Sequence, residues 1–79
     1  MQVNVKLFAS LQRYKPGVFA GEAFAVELPE GSTLADLVER LQIHANEVKV
    51  MYVNGRARAE MYRLKDGDEV GIFPPVGGG

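Results

Sequence analysis

The pattern of this 79-residue sequence predicts an α+β fold: a mixed sheet of four to five strands packed on one main helix. Three observations lead there. Polar and apolar residues alternate near both ends, with Val3, Val5 and Leu7 at one and Val70 and Ile72 at the other. In the middle, Leu34, Leu37, Val38 and Leu41 fall at i, i+3, i+4 and i+7, a single helical stripe. A ferredoxin-like arrangement would need a second crossover helix, and no second stripe is present.

The elements follow in order. Gln2 to Phe8 reads as a half-buried strand. Ala9 to Glu22 is longer than the 2–5 residues of an ordinary hairpin loop. It holds a short helical turn at Leu11-Gln12-Arg13-Tyr14, stopped by Lys15-Pro16-Gly17, and is expected to be an insertion or a binding loop. Phe24 to Leu28 alternates again and ends at the turn Pro29-Glu30-Gly31. The helix opens at Thr33 with Asp36 three residues on, a capping-box pattern that also suits the positive end of the helix dipole. It should run for about ten residues, as its stripe does. Val48 to Val53 is a strand closed by Asn54-Gly55, a strong signal for a tight turn. A less regular stretch through Met61 and Leu64 reaches the turn Lys65-Asp66-Gly67-Asp68. Glu69 to Phe73 is the last strand, and Pro74-Pro75 ends it because proline has no N–H for a ladder. A right-handed crossover of the helix onto the sheet brings the first and last strands together in the middle, which is the β-grasp arrangement.

Length leaves room for one domain, 1–79, with a flexible tail at 76–79. A hydrophobic fraction of 47% with 24% charged residues speaks against disorder. A net charge of -1 without a basic face speaks against nucleic acid as a partner. Asn4 and Lys6 interrupt the apolar run that a signal peptide would need, and no stretch approaches the ~20 apolar residues of a membrane helix. A cytoplasmic protein without a membrane partner is the expectation. The sequence has no cysteine, which removes disulfides, thiol nucleophiles and thiolate metal sites together.

The tail Val76-Gly77-Gly78-Gly79 is the segment richest in functional information. Glycines at a chain end pack nothing and carry the largest conformational entropy of any residue. The bland interpretation is a frayed end. Two features oppose it: Pro74 and Pro75 stiffen the exit from the last strand, and residues without Cβ atoms can thread a narrow channel. Extended from Pro74 to Gly79, the tail reaches roughly 20 Å. Alternation also turns Phe8 and Phe73 to the outer face, the first beside Lys6 and the second beside Gly71. Two exposed aromatics beside the tail form an expected docking surface, with Phe8, Phe73, Pro74, Pro75 and Val76 as partner-binding residues.

With these segments in order, the sequence resembles the MoaD/ThiS family, the ubiquitin-like sulfur carriers. The resemblance covers the whole chain. It rests on Phe8-Ala9-Ser10-Leu11, Thr33-Leu34-Ala35-Asp36-Leu37 and Val53-Asn54-Gly55. Leu64-Lys65-Asp66-Gly67-Asp68-Glu69-Val70 and Phe73-Pro74-Pro75-Val76-Gly77-Gly78-Gly79 complete it. Phe-Ala-Ser-Leu and Phe-Pro-Pro-Val are similar to the small subunit of molybdopterin synthase. That branch often has Ser, Thr or Ala where Gly77 stands here. A triple-glycine end also occurs among the thiamine-biosynthesis carriers, which usually lack the long loop after the first strand. The resemblance implies no resident cofactor and no enzyme activity in this chain alone. An E1-like adenylating enzyme would activate the Gly79 carboxylate with ATP, and a sulfur donor protein would convert it to a thiocarboxylate. Gly77 and Gly78 would give it access to a large synthase subunit, in a heterotetramer. The alternatives are carriers for thiamine thiazole or transfer-RNA thiolation, or a ubiquitin-like modifier joined to lysines through Gly79.

Other residues carry weaker signals. His44, the only histidine, has no carboxylate or cysteine arrangement around it that would make a metal site, so a helix-end or solvent role is expected. Glu27 and Glu30 read as solvated charge beside a turn, and Arg56, Arg58, Arg63 and Lys65 as a modest solvated basic stretch. Met51 and Met61 are expected to pack.

Overall fold

A computed structural model describes residues 1–75 of the chain. The described residues form a five-stranded sheet with strand order β2-β1-β5-β3-β4. Its members are β1 (Gln2–Leu7), β2 (Ala23–Glu27), β3 (Val50–Val53), β4 (Arg56–Arg58) and β5 (Glu69–Phe73). Helix α1 (Leu34–Arg40) covers one face, and 3-10 turns lie at Ala9–Tyr14 and Ala45–Glu47. β1 and β5 pair in parallel through Asn4↔Glu69, Val5↔Val70, Lys6↔Gly71 and Leu7↔Ile72. All other pairs are antiparallel. This is the ubiquitin-like β-grasp fold, with the last strand in the centre.

The core lies between sheet and helix. Val3, Val5 and Leu7 of β1, Val70 and Ile72 of β5 and Met51 and Val53 of β3 point toward Leu34, Leu37 and Val38 of α1. The expected stripe is present except that Leu41 is only half-buried. Leu11, in the 3-10 turn of the long loop, is fully buried and plugs one end of this core.

Local chemistry explains where α1 starts and stops. Thr33 Oγ1 accepts from the Asp36 N–H (3.2 Å) and Asp36 Oδ2 accepts from the Thr33 N–H (2.8 Å), so both halves of the capping box form. The next two N–H groups, of Leu34 and Ala35, donate to the carbonyls of Tyr62 and Glu60, tying the helix entry to the segment before Leu64. The helix has seven residues, shorter than the expected ten. Gln42 takes the left-handed conformation (φ 60°), its N–H donates to the Glu39 carbonyl, and the Ile43 N–H reaches the Val38 carbonyl. That pair of bonds closes the helix one turn early and buries Ile43 against the core.

Other boundaries shift as well. β1 stops at Leu7, β2 spans Ala23–Glu27 instead of 24–28, and β3 begins at Val50, because Val48 closes the second 3-10 turn. β4 falls in the stretch that the sequence leaves irregular. Asn54 and Gly55 both have positive φ (51° and 85°) and form the two-residue turn that returns the chain along β3. Met61 corrects another expectation: it is 70% exposed, while Met51 is core.

A polar clasp holds the start of β5. Asp68 is buried and accepts from Asn54 Nδ2 (2.9 Å) and from the Lys65 N–H (2.8 Å). Asn54 Oδ1 in turn accepts from the Glu69 N–H (3.0 Å). The turn after Leu64 and the turn after Val53 are thereby fastened to each other.

Candidate functional site

The sheet has a second face, away from the helix, and the chain leaves β5 at its edge. Phe8 and Phe73 both lie on that face, as alternation requires. Parallel pairing of β1 with β5 sets them side by side, and the Phe8 N–H donates to the Ile72 carbonyl (3.2 Å). Their rings stack with centroids 4.2 Å apart and planes 3° from parallel. Tyr52, from β3, meets Phe73 edge-on with centroids 5.6 Å apart. Phe8, just past the end of β1, Tyr52 of β3 and Phe73 of β5 thus form one continuous cluster.

The cluster corrects the expectation that Phe8 and Phe73 are exposed. Both are half-buried, because each ring covers the other and both lie over bare backbone. A Cβ on Gly71 would sit 3.3 Å from the Phe8 ring and 3.6 Å from that of Phe73, and one on Gly21 would sit 3.4 Å from Phe8. Gly71 is therefore the floor of the stack and Gly21 a side wall. Gly21 comes from the long loop and is held there by its N–H, which donates to the Leu7 carbonyl (2.8 Å).

The face around the cluster is a shallow concavity of about 830 Å³ whose lining includes Phe8, Tyr52, Gly71, Phe73 and Pro74. Lys6 and Lys49 supply positive charge on it, and Glu69 a negative one. The chain exits where the Lys49 N–H donates to the Phe73 carbonyl (2.8 Å). Pro74 is half-buried and Pro75 exposed. Of the expected partner-binding residues, Phe8, Phe73 and Pro74 are thus gathered on one side of the sheet, with Pro75 next in the chain. Val76, Gly77, Gly78 and Gly79 lie outside the described residues.

Tyr52 was missed in the sequence, although alternation within Val50-Met51-Tyr52-Val53 puts it opposite the core pair Met51 and Val53. Phe19 was missed too. It stands 81% exposed on a loop ordered by Gln12 Nε2 to the Val18 carbonyl (2.6 Å) and by the Phe19 N–H to Glu22 Oε1 (2.8 Å). An aromatic inside a Gly- and Pro-containing loop was the only available signal.

His44 is exposed at the start of the second 3-10 turn and its side chain makes no capping bond. Arg56, Arg58, Arg63 and Lys65 are all exposed. Glu47 accepts from Arg13 and from the Tyr14 hydroxyl, a clip between the two 3-10 turns. Among the described residues, no group of three or more His, Cys, Asp or Glu could hold a metal ion. None of their helices is long and apolar enough to cross a membrane.

The ThiS family model matches residues 5–79. Among solved structures, a Pyrococcus furiosus protein described as a candidate molybdopterin converting factor, subunit 1, is 33% identical, over 96% of this chain and 99% of its own, with TM-score 0.73. The complex of subunits 1 and 2 of molybdopterin-converting factor from Helicobacter pylori contains a chain 27% identical, covered fully on both sides, with TM-score 0.62. SAMP1 from Haloferax volcanii is 24% identical over the whole of both chains with TM-score 0.74, a likeness of fold. No curated protein matches the chain.

Proposed function

Because the chain belongs to the ThiS family of ubiquitin-like sulfur carriers, we propose that it carries sulfur as a thiocarboxylate on the Gly79 carboxylate and serves as the small subunit of a molybdopterin synthase. The product would be the pterin of a molybdenum or tungsten cofactor. The observation that carries this reading is the aromatic face beside the exit of the chain through Pro74 and Pro75. It gives a partner enzyme something to grip next to the segment it must receive. The likeness to a candidate molybdopterin converting factor subunit, which spans nearly the whole chain, supports the choice of pathway.

The cycle needs little chemistry from this chain. An E1-like adenylating enzyme joins the Gly79 carboxylate to AMP from ATP, releasing pyrophosphate. A sulfur donor protein then displaces AMP, so that one carboxylate oxygen leaves with AMP and sulfur takes its place. The loaded tail enters the large synthase subunit, which performs the catalysis. Gly77 and Gly78 let the chain end pass a channel too narrow for side chains. Phe8, Phe73, Pro74, Pro75 and Val76 hold the carrier on its partner; that a complex of subunits 1 and 2 exists for a similar protein supports a large-subunit partner. A cytoplasmic location suits an ATP-dependent cycle.

Intact mass is the test. Incubation with ATP, the adenylating enzyme and a sulfur donor should raise the mass by the difference between sulfur and oxygen. The loaded protein should then support molybdopterin formation with the large subunit. No mass change, or an unchanged pterin yield from a form lacking Gly78 and Gly79, would refute the carrier reading. Adducts to lysines of other proteins would identify a modifier instead.

A further inference from the structure

We infer that Gly71 is a positioning residue: its missing side chain seats the Phe8–Phe73 stack, and the seated stack braces the root from which the tail leaves. This rests on the carrier reading above and extends it, because it gives the aromatic pair a task inside the carrier as well as at its surface.

The brace is built from both sides of Phe73. On one side its ring is stacked face to face on Phe8, and on another Tyr52 abuts it edge-on. Its carbonyl accepts the Lys49 N–H, after which Pro74 cannot donate to the sheet. Phe73 is therefore the last residue held by the ladder, and its orientation sets the direction in which Pro74 and Pro75 depart. A Cβ at position 71 would stand 3.3 Å from the Phe8 ring and 3.6 Å from that of Phe73, so the stack as it stands would have to give by a few tenths of an ångström. Glycine inside a central strand is otherwise unfavourable, since it adds entropy to the unfolded chain and packs nothing. Val53 and Arg56 already flank a turn with its own glycine, and no positive φ requires glycine at 71. The close approach of the two rings is what the residue serves.

A docking anchor and a brace differ in what they change. An anchor sets affinity, and its loss is recovered at saturating partner. A brace sets the aim of the bound tail, and its loss persists at saturation, since misplacing a reacting group by about 1 Å can slow a step roughly 100-fold. The test uses Gly71→Val, which fills the seat, and Phe8→Leu, which keeps apolar volume but removes the stack. Amide hydrogen exchange at Lys49 should quicken about three- to tenfold in both, the worth of one aromatic pair. Exchange at Leu41, whose N–H bonds the Leu37 carbonyl at the end of α1, should stay unchanged. Gly71→Val should melt close to the parent, because the strand preference of valine offsets the lost aromatic pair. In sulfur transfer to the large subunit, kcat should fall tenfold or more at saturating partner. Unchanged exchange at Lys49 in both variants overturns the brace. So does quickened exchange with unchanged kcat, or a transfer loss confined to KM. Because the exchange measurement needs no sulfur chemistry, failure of the carrier reading would show separately, as no mass change in the parent protein.

Discussion

Leu37 shows how much of the fold rests on single side chains. It is fully buried between α1 and the sheet, so Leu37→Ala should cost about 2–5 kcal/mol by leaving a cavity. That is a large part of the total for so small a domain, and urea denaturation would read it. Gln42 predicts the opposite sign. It holds a left-handed backbone (φ 60°) on an exposed position, a conformation that costs a residue with Cβ about 1–2 kcal/mol. Gln42→Gly should therefore stabilise the protein by roughly 1 kcal/mol, visible as a higher denaturation midpoint. At the aromatic site, residue identity gave the face but not the surroundings. Alternation places Phe8 and Phe73 outward from their own strands, yet it says nothing of what else stands on that face. Their mutual stacking, and the cover from Gly71 and Gly21, come from the pairing of strands far apart in sequence.

At the scale of elements, legibility followed the strength of local signals. The capping box at Thr33 and Asp36 marked the start of α1 correctly because it is a local device. The end was misjudged because the apolar stripe runs through Leu41 while the backbone already turns at Gln42. β4 carries no apolar alternation, since all three of its residues are exposed at the sheet edge. Only the Asn54-Gly55 turn signals that a strand must return along β3. The cap is also where the helix is most open to change. Thr33→Ala removes one half of the capping box and should cost about 1 kcal/mol, with helical signal lost before sheet signal on heating. Gly55→Ala should weaken the β3–β4 hairpin by a similar amount, because φ 85° suits glycine.

For the whole molecule, fold and tail should separate cleanly. Glycines have no side chain to pack, and among the described residues none beyond Ile72 belongs to the core, so a form lacking Gly78 and Gly79 should melt with the parent while taking up no sulfur. Circular dichroism and intact mass would check the two halves of that statement. The strand that carries the tail is also the one between β1 and β3. The β1–β2 and β3–β4 hairpins are local and can form separately, but only β5 makes them one sheet. Its contacts with β1 join Val5 to Val70, a loop closure across nearly the whole chain, which is the slow kind of step in folding. A chain arrested before that step has neither the aromatic pair assembled nor a fixed point of departure for its C-terminus. Assembly of the β-sheet is thus a built-in inspection: the surface that a partner grips and the root of the segment it receives come into being in the same event.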